Sequence, residues 1–183
     1  NLYDLGCSLG ETIKYIHAFL PSDCEVIGVE KSLPMVEKCK ANLESIQYKS
    51  NIAIRHEDLL DTEIENASLV IMNLTLQFIP LKDRDAVLKK IANGLTEGGI
   101  LILFEKVTFE DADEQSLLDR LYFDFKLANG YSKLEIAQKR EALENVLISD
   151  TIPELRRRAK RSGFRKTEVI SQCLNFAGLI AVK

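Results

Sequence analysis

The chain has 183 residues, enough for one domain, 1–183, with a core that needs neither disulfides nor structural metal. Hydrophobic residues make up 46% and charged residues 28%, the mix of a globular protein, and no apolar run approaches the roughly 20 residues that span a bilayer. The net charge of -4 is the wrong balance for gripping a nucleic-acid backbone, so neither membrane nor direct nucleic-acid binding is expected.

Leu2 to Leu5 reads as a buried strand, and the turn Gly6 to Gly10 leads into a helix over Glu11 to Phe19. Glu25 to Glu30 (EVIGVE) is a second strand. Ser32 is placed to cap the next helix, and Pro34 falls in its first turn, where a missing N–H is harmless. Met35, Val36, Cys39 and Leu43 then recur at helical spacing, to about Ile46. Ile52 to His56 alternates as a strand, and Ser68 to Leu74 (SLVIMNL) reads as a central parallel strand covered on both faces. Asp83 to Leu95 is an amphipathic helix stopped by Gly94 and turned by Gly98-Gly99, before the strand Ile100 to Lys106. A helix over Asp113 to Leu127, a turn at Asn129-Gly130 and a helix from Ser132 to about Val146 follow, the last opened by a Ser132/Glu135 capping box. Thr151 to Ser162 is a basic helix ended by Gly163, and Lys166 to Ser171 with Asn175 to Val182 form a terminal hairpin.

This β-then-α order predicts an α/β, Rossmann-like, mostly parallel sheet with an antiparallel terminal hairpin. The helices between Asp113 and Ser162 exceed one crossover and are expected to form an insertion that caps the site or contacts another subunit.

A glycine turn after the first strand is where such sheets bind ligands. Gly6 suits a positive φ and Gly10 a close helix–sheet approach. The dinucleotide fingerprint is absent, because Ser8 stands where its second glycine admits a pyrophosphate. Glu30 closes the second strand about 20 residues on, the spacing at which a carboxylate meets ribose hydroxyls. Together these point to a nucleoside without phosphates, and S-adenosylmethionine fits. Its carboxylate suits the amides of the glycine turn, and Asp4 suits its ammonium or sulfonium. The bland alternative is that the glycines only turn the chain. Asp58 reads either as an acceptor for the adenine amino group, with the Leu59 amide at the ring, or as a solvated turn acid. Asn73 places an amide in an apolar run, where it needs a partner that the ligand can supply.

The strings DLGCSLG, IENASLVIMNLTLQF, FEDA, ANGYSKLEIAQKR, ALENV and QCLNF resemble the carboxy-S-adenosyl-L-methionine synthases, of the class I methyltransferase fold, from the first strand to the last. The resemblance implies that S-adenosylmethionine and prephenate give carboxy-S-adenosylmethionine and phenylpyruvate. A separate enzyme then passes the carboxymethyl group to tRNA wobble uridine. Gly6, Cys7, Ser8, Glu30, Lys31, Asp58, Leu59 and Asn73 would line the adenosyl site. Arg140 would hold the added carboxylate through two parallel hydrogen bonds and act in catalysis. The expected chemistry is capture, by the deprotonated sulfonium methyl, of carbon dioxide lost from prephenate. Arg140 also reads as a helical arginine paired with Glu144. The family usually has Asp-Asn where this chain has Glu30-Lys31, so Lys31 would contact the ligand through backbone or stem. The chain opens on Asn1 rather than Met, which reads as a missing upstream segment. In the family that segment brings a lid with a tyrosine. The alternative function is an ordinary S-adenosylmethionine-dependent methyltransferase acting on a small molecule or tRNA.

Cys7, Cys24, Cys39 and Cys173 form no C-x-x-C pair, and with only His17 and His56 available no metal site is expected. Reduced thiols and no leader segment point to the cytoplasm. The position of Cys7 near a helix start allows a depressed pKa, although a backbone contact explains it more simply. The run Arg156, Arg157, Arg158, Lys160 and Arg161 reads as a solvated helix face rather than an RNA contact. A homodimer is expected from the helical insertion.

Overall fold

The computed structural model describes residues 1–44, 46 and 50–183. Seven strands, β1 (Leu2–Leu5), β2 (Glu25–Glu30), β3 (Asn51–His56), β4 (Ala67–Asn73), β5 (Leu95–Lys106), β6 (Lys166–Cys173) and β7 (Phe176–Val182), form one sheet. The helices are α1 (Glu11–Ile16), α2 (Leu33–Glu44), α3 (Leu81–Gly94), α4 (Ala112–Ala128), α5 (Lys133–Leu143) and α6 (Ile152–Arg161). The strand order is β3-β2-β1-β4-β5-β7-β6. The first five are parallel, and β7 runs antiparallel between β5 and β6, as the sequence predicts.

The central strands are buried on both faces because helices cover both. Tyr3 and Leu5 of β1 join the larger cluster, with Val87, Leu88 and Ile91 of α3. Leu2 faces the other way, with Ile13 of α1 and Cys39 and Leu43 of α2. Chain order reverses between β1 and β4, so their carboxyl ends, Leu5 and Asn73, open a crevice at the switch point.

Several boundaries differ from expectation. The first helix tightens to a 3-10 turn over His17–Phe19. The second ends at Glu44, and the predicted continuation through Ser45 lies outside the described residues. Gly98-Gly99 does not precede β5 but interrupts it: Ala67 pairs with Leu95 and Leu69 with Ile100, leaving Thr96 to Gly99 as a bulge with Gly98 at φ 75. Finally, α5 stops at Leu143, and Asn145 takes φ 65.

The insertion is well capped. Ser132 and Glu135 exchange both bonds of the capping box, and the hydroxyl of Thr151 accepts from the Glu154 amide. It is latched to the sheet layer by Arg84 of α3. The Arg84 guanidinium donates to Asp150 at 2.7 Å and to the carbonyls of Ile79, Gln77 and Ile148. Four of the five basic residues in the run on α6 are paired within the fold. Arg156 pairs with Glu168, Arg157 with Glu154, Arg158 with Asp85 and Asp150, and Arg161 with Asp85 and Glu154. No helix among the described residues is long and apolar enough to cross a membrane.

Candidate functional site

The crevice at the switch point is a cleft of about 580 Å³, and Gly6, Ser8, Glu30, Lys31, Asp58, Leu59 and Asn73 all line it. They come from the carboxyl ends of β2 and β4 and the loops after β1, β2 and β3, where a parallel sheet gathers its strand ends. Gly6 is required twice over: its φ is 79, and a Cβ there would stand 2.6 Å from the Thr75 hydroxyl. The amides of Gly6 and Cys7 both donate to the Val29 carbonyl, and Ser8 turns at φ 49, which closes the loop tightly.

The Glu30 carboxylate ties two loops together. One oxygen accepts from the Ser8 amide at 3.1 Å and the other from the Ser32 amide at 2.8 Å. A carboxylate has about four lone-pair sites, so two stay available for a pair of vicinal hydroxyls.

Lys31 is mostly exposed, and its ammonium lies 2.6 Å from Asp58, a pairing the sequence reading did not anticipate. The other Asp58 oxygen accepts from the Leu60 amide at 3.0 Å. The Lys31 contact, then the Leu60 amide, hold the Asp58 carboxyl below its usual range. Lys90 of α3 fixes the same turn by donating to the carbonyls of Leu59 and Leu60 at 2.7 and 2.8 Å. The Leu59 amide has no acceptor among the described residues, which leaves a donor for an acceptor on a bound ring. Asn73 does not fit the argument from burial: as the last residue of β4 it is exposed, and its amide side chain needs no internal partner.

Two predicted contributors sit beneath the cleft. Cys7 is buried against α1 and α2 and is not among the lining residues, so its side chain packs while its backbone builds the turn. The depressed pKa considered for it is reversed: a hydrogen bond with Cys39, then burial and the charge of Asp4, push the thiol up. Asp4 is 1% exposed, and its Oδ2 is buried without a hydrogen-bond partner. Burial, then the charge of Glu30, raise its pKa to about 7. An orphaned buried carboxylate oxygen beside an anion-lined cleft is stabilised by a cation, so the site suits a positively charged nucleoside.

Arg140 lies elsewhere. It lines a second cavity of about 890 Å³, formed where the end of β5 meets α4 and α5. Leu74 and Phe78 line both cavities, so the two adjoin across one wall. The pair with Glu144 does not form, because α5 ends before Glu144, whose φ and ψ are -61 and 132.

Glu105 holds this wall in shape. Its buried carboxylate accepts from the amides of Thr75, Leu76 and Gln77 at 3.0, 2.8 and 3.0 Å. Gln77 in turn accepts from the Lys106 amide at 3.1 Å. Sequence reasoning missed Glu105, although an acid inside the apolar run ILILFEK carries the signal, since a buried acid must find donors. The contribution of Lys90 leaves no local signature. Among the described residues no group of acidic, His and Cys side chains is arranged to hold a metal.

The comparisons agree with this architecture. A family model described as a methyltransferase domain matches residues 2–99. A putative O-methyltransferase from Nostoc punctiforme PCC 73102 superposes with a TM-score of 0.73 at 17% identity, covering 100% of this chain and 51% of that one. PigF, solved with SAH, gives a TM-score of 0.69 at 15% identity, covering 100% of this chain and 50% of that one. The chain thus spans about half the length of these solved structures, and the likeness concerns the fold. Carboxy-S-adenosyl-L-methionine synthases from Shewanella sp. (strain ANA-3) and Aliivibrio fischeri (strain ATCC 700601 / ES114) are each 46% identical over 184 residues, covering 100% of this chain and 76% of the relative. With that similarity running along its whole length, the chain belongs to the carboxy-S-adenosyl-L-methionine synthase family and is a transferase on the methyltransferase fold.

Proposed function

We propose that the chain converts S-adenosylmethionine and prephenate to carboxy-S-adenosylmethionine and phenylpyruvate. The observation that carries the reading is the pair of adjoining cavities. One is a phosphate-free cleft with the Glu30 carboxylate and the orphaned Asp4 oxygen, and the other carries Arg140. An ordinary methyl transfer gives a guanidinium next to the sulfonium nothing to hold, whereas a carboxylated methyl requires it.

In this reading the sulfonium methyl loses a proton and gains carbon dioxide. Prephenate loses carbon dioxide and hydroxide, and the hydroxide takes up that proton as water. Glu30 accepts the ribose hydroxyls, and Asp58 and Leu59 meet the adenine edge. The backbone of Gly6, Cys7 and Ser8 faces the methionine portion. Lys31 orients Asp58 rather than the ligand, and Asn73 closes the cleft at the β4 end. Arg140 holds the carboxylate that moves. Leu74 and Phe78 exclude water from the junction, which keeps carbon dioxide from escaping. The product supplies carboxymethyl groups for tRNA wobble uridine through a separate enzyme in the cytoplasm. The chain acts as a homodimer through α4, which buries no residue within the single chain and exposes Leu117, Leu121 and Phe125.

Native mass spectrometry of freshly purified protein tests the reading. The expected result is a bound nucleoside heavier than S-adenosylmethionine by one carboxyl group, with phenylpyruvate appearing when prephenate is added. Unmodified S-adenosylmethionine alone, with no phenylpyruvate, would assign the chain to ordinary methyl transfer.

A further inference from the structure

Four cations line the cavity beside the adenosyl cleft: Lys106 at the end of β5, Lys126 on α4, and Lys139 and Arg140 on α5. Two acids, Asp119 and Glu144, share that lining. Asp119 is engaged elsewhere, accepting from Gln115 at 2.9 Å and from Asn175 at 3.4 Å. None of the four cations forms an ion pair among the described residues, while Arg156, Arg157, Arg158 and Arg161 on α6 are all paired. Burial, then repulsion from Lys106 and Lys139, push the Lys126 ammonium below its usual pKa. Its contact is the face of Tyr122, 4.1 Å from the ring centre.

Like charges gathered without counter-ions around a partly apolar cavity destabilise the chain on its own and favour an anionic ligand. One carboxylate at Arg140 does not account for all four. The cations divide by element into Lys139 and Arg140 on α5 and Lys106 and Lys126 on β5 and α4. Aromatic rings share the lining, including Tyr122 and Phe176 edge to face at 5.2 Å. That arrangement fits a dianion whose two carboxylates hang from one ring carbon, one directly and one through a short keto-acid side chain, with the ring against the aromatic wall.

We propose that Lys106 and Lys126 form a second anion-binding pole, which holds the carboxylate that the co-substrate keeps while Arg140 takes the one it gives up. This inference rests on the carboxyl-transfer reading above and deepens it. The lysine pole sets specificity for a dianion. Because the retained carboxylate is still present on phenylpyruvate, the same pole holds the product, and Arg140 does not.

The test compares Lys106→Met, Lys126→Met and their double variant with the unaltered chain. Both lysines are charged groups facing a cavity, and S-adenosylmethionine binding serves as the folding control. The expected result is a KM for prephenate raised about tenfold, with phenylpyruvate inhibition weakened by a similar factor. Affinities for S-adenosylmethionine and carboxy-S-adenosylmethionine stay unchanged, and Lys126→Arg recovers part of the loss. Prephenate KM and phenylpyruvate inhibition both unmoved in the double variant would overturn the second pole, with the carboxyl-transfer reading left intact. If the unaltered chain makes no carboxylated product, that reading fails instead. The pole is then judged by calorimetry with phenylpyruvate: tight binding that the double variant loses supports it, and equal binding overturns it.

Discussion

Arg140 illustrates how a side chain without an internal partner differs from an ordinary surface arginine. Its helix stops one residue before Glu144, so the usual i,i+4 pair does not form and the guanidinium lines the cavity. A lysine in its place keeps the charge but loses the two parallel bonds. Arg140→Lys should therefore weaken retention of carboxy-S-adenosylmethionine about tenfold more than that of S-adenosylmethionine, near 1.4 kcal/mol. Equal losses by calorimetry would show that Arg140 does not read the extra carboxylate. Asp4 makes a prediction of the opposite kind. Its pKa is about 7 in the fold, against 3.8 for a free carboxyl. The raised value means that its stabilising contribution is whole below about pH 4 and is lost as pH rises through 7. Asp4→Asn should raise the denaturation midpoint, by a margin that grows from pH 4 to pH 8. It should also weaken S-adenosylmethionine binding at pH 8, where the ionised acid attracts the cation. A midpoint gain independent of pH would refute the first expectation.

At the scale of the elements, the loop after β4 decides the shape of both cavities. Leu74 sits at φ 55, and the following turn hangs from Glu105 by three amides. Glu105→Ala leaves those donors buried, at about 1–3 kcal/mol for each one not rescued by water. It should lower the melting temperature and weaken both S-adenosylmethionine and prephenate, whereas Glu105→Gln, which retains one carbonyl acceptor, should lose less. Thermal melts and calorimetry on the two variants check the order. Strand ends are the most legible part of the sequence, because a short apolar run and the turn or polar residue that stops it mark them locally. Gly6, Glu30, Asp58 and Asn73, which line the cleft, stand out for that reason. The Lys31–Asp58 pair and the Lys90 staple do not, since they join residues that meet only once the strand order is set. Gly98-Gly99 was read as a turn because tight turns and bulges require the same positive φ. Asn73 was given too much burial, since an apolar run does not announce which of its residues emerges from the sheet.

Across the whole molecule, one group of cations is paired within the fold and another lines the cavity. Arg84 is 1% exposed and Asp150 is 9% exposed, and together with Arg158 they fasten the returning chain of the insertion to α3. Asp150→Ala would leave the buried Arg84 with carbonyl partners alone and Arg158 with Asp85 and Glu154, and breaking a buried pair in this way costs about 3–5 kcal/mol. Chemical denaturation should show a loss of that size, and a loss below about 1 kcal/mol would mean that solvent reaches the cluster freely. The overall acidity thus conceals a local electropositive hollow, which a net charge of -4 did not reveal. Glu30 carries a different consequence. A single carboxylate bridges the first two crossovers, so hydroxyls that occupy its remaining lone pairs stiffen both at once. Hydrogen–deuterium exchange at the Ser8 and Ser32 amides is thereby made to slow in concert, as one opening event rather than two.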